Sequence, residues 1–358
     1  MQSYRQNLIF LITQPHLDLK TETEKFIAGL DSKVFAALFV DVSFLITALE
    51  FIDGQYWIED LKNDGEEKKV VIAHFLKKFF KSELRPLLFF QSTLDGTSIY
   101  DIKFYQNTVL AIQKTIVSAA KQKPFPQSRE FATTALNMMS ELFEFEHQMT
   151  MKKNDLNQEL DYTLYRSFDC LDECFNLNYK SEHPDTESRT IERIYLQSGV
   201  SVQSSYSALL MALRYVNLPS GSRFIDLGSG FGRVGITVGL LRPDIEFSGY
   251  EFVENRVNVA TAAVKNLGLD KRVKFFQQDL SDQNFAFPEA ETYYLYDPFT
   301  EETYKHIINK LTEVASRKKI NVITKGNAKL HFLKAENIRT WSKPQEFRTG
   351  NFCLFRSN

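Results

Sequence analysis

Asp226, Glu251, Asp279 and Asp297 each stand at or near the end of a short apolar run, and the first is followed by glycine at 228, 230 and 232. The surrounding stretch reads Phe224-Ile225-Asp226-Leu227-Gly228-Ser229-Gly230-Phe231-Gly232-Arg233-Val234-Gly235. Phe224 and Ile225 read as the end of a buried strand, and Asp226 closes the apolar run. Val234, Ile236, Val238, Leu240 and Leu241 then resume a pattern compatible with a helix. A strand, a glycine turn and a helix start bring a ligand against bare backbone N–H groups, because only glycine permits so close an approach. The chemistry implied is binding of a nucleotide-like ligand.

The elements that must position the other acids follow in order. Residues 246–252 predict a second strand ending in Glu251, about 20 to 25 residues past the glycines, where an acid can accept both hydroxyls of a ribose. Residues 254–267 predict a helix that stops at Gly268. Residues 273–280 predict a third strand finishing in Gln278-Asp279. A fourth, 292–295, runs into Tyr296-Asp297-Pro298-Phe299 and a helix capped by Thr300, with Glu301 and Glu302 in its first turn. Successive strands that each end in a polar group are the pattern of a parallel sheet binding ligand at its carboxyl edge.

The frame Asp226-x-Gly228-x-Gly230-x-Gly232 resembles the first motif of the class I S-adenosylmethionine (SAM) methyltransferases. The resemblance implies SAM as cofactor, with Asp226 holding the ammonium end of its methionine part. The backbone of Gly228, Ser229, Gly230 and Gly232 would lie along the ligand. Glu251 and Phe252 would stand at the ribose, and Gln278 and Asp279 at the adenine. The tetrapeptide 296–299 resembles the Asn/Asp-Pro-Pro-aromatic motif of methyltransferases acting on amino or amide nitrogen, one proline short. By that likeness Asp297 and a backbone carbonyl beside Tyr296 orient the acceptor N–H groups, and Phe299 packs on the substrate. Positioning is the main need, because the methyl of SAM is already electrophilic.

The layout of residues 296–325 is similar to that of the non-SET histone-lysine methyltransferases and their bacterial look-alikes. Ser-Val-Gln-Ser-Ser-Tyr-Ser-Ala-Leu-Leu at 201–210 is similar to the polar turn and helix that cover the cofactor there. The histone enzymes carry asparagines and a different aromatic pattern at 296–299, and their lysine channel is not assigned to residues of this sequence. The resemblance spans roughly residues 195–358 and makes a protein amino group, lysine first, the leading acceptor. Other readings stay open. Gly230-x-Gly232-x-x-Gly235 formally matches the dinucleotide fingerprint and supports an NAD-dependent oxidoreductase. A non-catalytic SAM-fold module that binds a protein through its helical part, and methylation of RNA or a small molecule, are further alternatives.

At 358 residues the chain predicts two domains. Residues 1–185 form an all-α domain, with helix-period runs at 21–29, 32–52, 66–84, 98–121, 128–152 and 155–178. Turn signals separate them at Asp53-Gly54, 63–65, Arg85-Pro86 and Lys123-Pro124. Residues 180–190 are polar and proline-containing, as a linker would be. Residues 186–358 form an α/β Rossmann-like, seven-stranded methyltransferase domain, with 347–356 as an antiparallel last strand. Residues 34–51 are apolar but interrupted by Asp41, so a buried helix is expected and no membrane partner. The apolar run 8–12 is too short for a signal peptide. Three cysteines in such a length suggest no disulfide framework, and Cys170 and Cys174 read as buried thiols, with no metal site expected. A cytoplasmic enzyme fits these features. Residues 1–190 carry 21 basic and 28 acidic side chains, net −7, and residues 191–358 carry 22 and 17, net +5. Ten basic against two acidic residues fall within 317–356, yet the near-neutral total does not favour nucleic acid as partner.

Overall fold

A computed structural model describes residues 2–60, 73, 74, 76–155, 168–177, 203–297, 299–334, 339–347 and 352–358. The chain divides into two compact units, residues 1–174 and 175–358. The predicted linker at 180–190 lies outside the described residues, as do residues 66–72 and 75 of the helix predicted at 66–84 and residues 156–167 and 178 of the one predicted at 155–178.

The first unit is helical: α1 (Gln2–Thr13), α2 (Leu19–Ala28), α3 (Ser32–Asp60), α4 (Ile99–Lys121) and α5 (Gln127–Asp155), with shorter turns between α3 and α4 and after α5. Helix α3 is its axis and packs against both α4 and α5. Phe35 and Phe39 meet the Phe131 ring at 5.1 and 5.6 Å between centroids. The stretch Ser32–Trp57 has the length and apolarity of a membrane span, but 83% of its most apolar window is buried inside the unit. Asp41 explains how a charge is tolerated there. Tyr4 donates to its Oδ2 at 2.8 Å, and Arg5 grips both oxygens at 2.8 and 3.2 Å. A buried charge is stable only when paired and hydrogen-bonded in this way. The helix also runs through Asp53-Gly54, where a turn was predicted. A helical glycine costs roughly 1 kcal/mol. Burying Ile52 and Tyr56 on one face, at about 1.5–3 kcal/mol for a large apolar side chain, outweighs it.

The second unit holds a seven-stranded sheet in the order β3-β2-β1-β4-β5-β7-β6. Its strands are β1 (Arg223–Leu227), β2 (Glu246–Glu251), β3 (Val273–Gln277), β4 (Thr292–Tyr296), β5 (Asn321–Lys325), β6 (Gln345–Phe347) and β7 (Phe352–Arg356). The first five are mutually parallel, whereas β7 pairs antiparallel with both β5 and β6. The single last strand predicted at 347–356 is therefore two strands, with residues 348–351 outside the described set. Helices α6 (Tyr206–Tyr215), α7 (Arg233–Leu241), α8 (Glu254–Asn266), α9 (Glu301–Ala315) and α10 (Ala328–Phe332) complete the unit. Thr300 caps α9 as predicted, its side chain accepting from the Thr303 N–H.

Two phenylalanines set how closely α7 approaches the sheet. A Cβ on Gly235 would stand 2.5 Å from Phe247 and 2.7 Å from Phe275. One on Gly239 would meet Val273 at 2.6 Å, and one on Gly249 of β2 would meet Phe275 at 2.6 Å. Real Cβ contacts are not that short, so these glycines are spaces that neighbouring side chains fill, phenylalanine rings at Gly235 and Gly249 and Val273 at Gly239. Gly235→Ala should lower stability by about 1–3 kcal/mol through overpacking. Thermal unfolding should show it as a fall of a few degrees, and an unchanged midpoint would refute the packing account.

Candidate functional site

The carboxyl edge of the sheet gathers the predicted residues. Strand β1 ends at Leu227, so Gly228 is the first glycine after the strand and Asp226 is the strand's penultimate residue. The chain turns back through three left-handed residues, Gly228 (φ +92°), Gly230 (φ +53°) and Gly232 (φ +87°). The Tyr250 carbonyl accepts from the N–H groups of both Gly228 and Ser229 at 2.9 Å, tying the turn to β2. Glu251 ties it again: its Oε2 accepts from Gly230 N–H at 2.8 Å and its Oε1 from Val253 N–H at 3.0 Å. Arg256 pairs with the same carboxylate at 3.5 Å. Glu251, expected as a ribose acceptor, is thus also the clamp that shapes the glycine turn.

The glycines divide by what surrounds them. At Gly232, the N-terminal cap of α7, a Cβ would meet Ala260 and Phe275 at 2.7 Å, so packing accounts for this glycine, which was expected to line the cofactor. At Gly230 a Cβ would meet, among the described residues, only Gln203, at 3.7 Å. Gly230 is therefore where backbone is exposed to an approaching ligand.

Asp226 is 2% exposed, and its carboxyl group makes no hydrogen bond among the described residues. Burial, and secondarily the charge of Glu251, hold its pKa well above the ordinary carboxylate range. Beside it the Ser229 hydroxyl is buried without a partner among the described residues. Orphaned polar atoms of this kind call for an explanation, and a cationic ligand group is one. Above the turn, Ser204 bonds the buried Tyr294 hydroxyl at 2.5 Å, while the buried Arg233 donates to the Ser204 carbonyl at 2.7 Å. Arg233 also lies over the Tyr206 ring at 4.7 Å. Arg233 was missed in the sequence, where an arginine in the first turn of a helix reads as solvated.

The remaining cofactor candidates sit at the ends of β2 and β3. Phe252 follows β2, half-buried, its carbonyl accepting from Gln277 at 3.5 Å. The Gln278 N–H donates to the Glu251 carbonyl at 2.9 Å. Asp279 Oδ1 accepts from both the N–H and the hydroxyl of Ser281, at 2.8 and 2.6 Å, so this oxygen also closes a local turn.

At the end of β4, Tyr296 is half-buried with the Lys325 ammonium 4.2 Å from its ring centroid. Asp297 is 5% exposed and adopts a left-handed φ of +43°, uncommon outside glycine. Pro298 lies outside the described residues. Phe299, expected against the substrate, is instead 1% exposed in the apolar core. It precedes the cap of α9 and packs edge-on against Tyr304 at 5.2 Å, as a hydrophobic staple that fixes how the chain enters the helix. The basic excess at 317–356 is also changed by the fold. Arg317, Lys318, Lys329 and Lys334 pair with Glu289, Glu291, Glu346 and Glu301. Among the described residues no group of acids, histidines and cysteines could hold a metal ion, and burial pushes the Cys170 thiol up to about 12.

No family model matches the chain. The ribosomal RNA small subunit methyltransferase G of Pseudarthrobacter chlorophenolicus is 43% identical over 53 residues, 15% of this chain. The chain spans about a quarter (24%) of that relative's length. Among solved structures, TrmN from Thermus thermophilus is similar with a TM-score of 0.35 and 16% identity, over 42% of this chain and 48% of that one. An RNA methyltransferase from Salinibacter ruber, in complex with S-adenosyl-L-homocysteine, gives 0.35 and 19%, over 44% and 92%. The sheet order, the reversed β7 and the glycine turn after β1 make the second unit a Rossmann-like, class I SAM-dependent methyltransferase fold.

The raised Asp226 pKa gives a test with a definite sign. Between the ordinary carboxylate value and its own, the folded chain retains a proton that the unfolded chain releases. That stability is fully present below the ordinary value and is lost as pH rises through the folded pKa. Asp226→Asn has no such proton. It should melt above the wild type near about pH 8 and level with it near about pH 4, in calorimetric scans across that range. Wild-type SAM affinity should rise with pH as Asp226 ionises, while the variant's should be weak and flat.

Proposed function

We propose that the chain is a SAM-dependent methyltransferase whose acceptor is a nitrogen of an RNA base. The observation that carries the cofactor reading is the buried Asp226 carboxyl, without a hydrogen-bond partner among the described residues, beside the open backbone of Gly230. These residues fit SAM. Asp226 would hold the ammonium of its methionine part, Gly230 would admit its chain against bare backbone, and Glu251 would accept from its ribose. When bound, SAM supplies an electrophilic methyl on a sulfonium.

The chain's own residues do the rest. Asp297, at the neighbouring strand end, accepts from the acceptor's N–H and so aims the nitrogen lone pair. Burial of this carboxylate excludes water from the hydrogen bond. Holding reactants in line is worth as much as about 7–11 kcal/mol in favourable intramolecular cases, so geometry can supply most of the rate.

The NAD reading is not supported. The dinucleotide fingerprint puts its first glycine directly after the strand, and here that residue is Gly228, out of frame with Gly230-x-Gly232-x-x-Gly235. The ribosomal RNA methyltransferase match supports the RNA acceptor, which is preferred here to the protein-lysine reading. Phosphate recognition would not run through the paired lysines and arginines of 317–356.

Tritiated-methyl transfer from SAM into bacterial total RNA and, separately, into bacterial protein tests this. The expected result is nuclease-sensitive label recovered as a methylated base. Label recovered as methyl-lysine would overturn the RNA choice and keep the methyltransferase. Tight SAM binding without transfer into either pool would favour the non-catalytic module. Glu251→Gln should weaken SAM binding by about 1.5–3 kcal/mol, the worth of a hydrogen bond to a charged group, and calorimetric titration would measure it.

A further inference from the structure

Strand β5 brings a second set of side chains to Asp297. The register pairs Tyr296 with Lys325, so Gly326 and Asn327 follow β5 alongside Asp297. Gly326 has a φ of +68°, and a Cβ there would stand 3.3 Å from the Tyr296 ring and 3.4 Å from the Asp297 Cβ. Past it, Asn327 Nδ2 donates to Asp297 Oδ2 at 3.4 Å. From α9, the Tyr304 hydroxyl donates to Asp297 Oδ1 at 3.3 Å. Tyr304 is itself held: His331 of α10 stacks on its ring at 4.1 Å and 12°, and Phe299 meets it edge-on.

Among the described residues, Asp297 takes a side-chain donor on each oxygen, from positions 7 and 30 residues away in the chain. Two donors on opposite oxygens fix the plane of the carboxylate. Both distances are long for hydrogen bonds, as such contacts often are before a substrate tightens the site.

We infer that Tyr304 and Asn327 are positioning residues that set the plane of the Asp297 carboxylate for the acceptor nitrogen. The inference rests on the methyltransferase reading and deepens its acceptor site. It makes β5 and the turn into α10 part of the machinery, although neither touches the cofactor cradle of β1 and β2. Tyr304→Phe keeps the ring, its stack on His331 and the staple, and removes one donor. Asn327→Ala removes the other.

The test uses the full chain, tritiated SAM and bacterial total RNA, with each substitution made in the wild type and in Asp297→Gly. Glycine is chosen because it accepts the left-handed φ without strain. In the wild-type background each variant should lower kcat about ten- to a hundredfold, with KM for RNA and calorimetric SAM affinity within about twofold. In Asp297→Gly neither should lower the residual rate further, since the group they position is gone. Full kcat in both variants, equal losses in the two backgrounds, or losses confined to melting temperature and SAM affinity would overturn the inference. If Asp297→Gly leaves no measurable rate, the kcat-only loss in Tyr304→Phe decides. Undiminished transfer by Asp297→Gly would instead sink Asp297 as the acceptor residue. No transfer by the wild type into RNA or protein would sink the parent reading and this inference with it.

Discussion

The Glu251 carboxylate bridges two things that would otherwise move independently, the glycine turn after β1 and the chain leaving β2. Its two oxygens take the N–H groups of Gly230 and Val253, and Arg256 neutralises part of its charge. Backbone N–H groups at a turn cannot stay buried without partners. The clamp therefore fixes where Gly230 lies, and Gly230 is the point at which the turn opens. From behind, Phe247 and Phe275 fill the spaces left by Gly235 and Gly249, so the turn cannot sink toward the sheet. A ligand cradle with an open glycine, Gly230, beside the closely packed Gly232 follows from these two constraints.

That arrangement concentrates charge of one sign. Asp226 and Glu251 are both buried, and burial and Glu251's charge hold Asp226 toward its protonated form. A cationic group at Asp226 would remove both penalties at once. The site is thus less stable empty than a neutral version of itself would be, which is how binding sites often differ from the cores around them. The same contrast separates Asp226 from Asp41. Asp41 is equally enclosed but receives Tyr4 and Arg5, and its role is to seat α1 on the apolar helix α3.

Much of this was legible in the sequence, and the failures have identifiable causes. The strand-ending acids, the glycine turn and the Thr300 cap are local signals whose chemistry does not depend on distant residues. The helix through Gly54 was not legible, because burial of Ile52 and Tyr56 overrides a local turn signal. Helix α1 could have been read from Tyr4, Leu8 and Leu11, spaced at helical intervals and all buried. Phe299 was misread because an aromatic after Asp-Pro fits both a substrate wall and a helix staple. Tyr304, four residues past the cap, was the signal for the second. The basic excess at 317–356 could not be interpreted from sequence, since its partners Glu289, Glu291 and Glu301 lie outside that stretch.

The edge of the sheet thus separates two tasks. Strands β1 to β3 end in groups that fit a nucleoside and an amino acid, whereas β4 and β5 end in groups that hold one carboxylate. Parallel strands in register make this possible, because their carboxyl ends reach the same edge without any loop having to carry a residue across. The strain of a left-handed Asp297 points the same way. Aspartate adopts a left-handed φ more readily than most residues, and non-glycine residues held at such a φ cluster at working sites. Here the surrounding structure is the close passage of Gly326 and the stacked Tyr304, two features that a turn between a strand and a helix does not need.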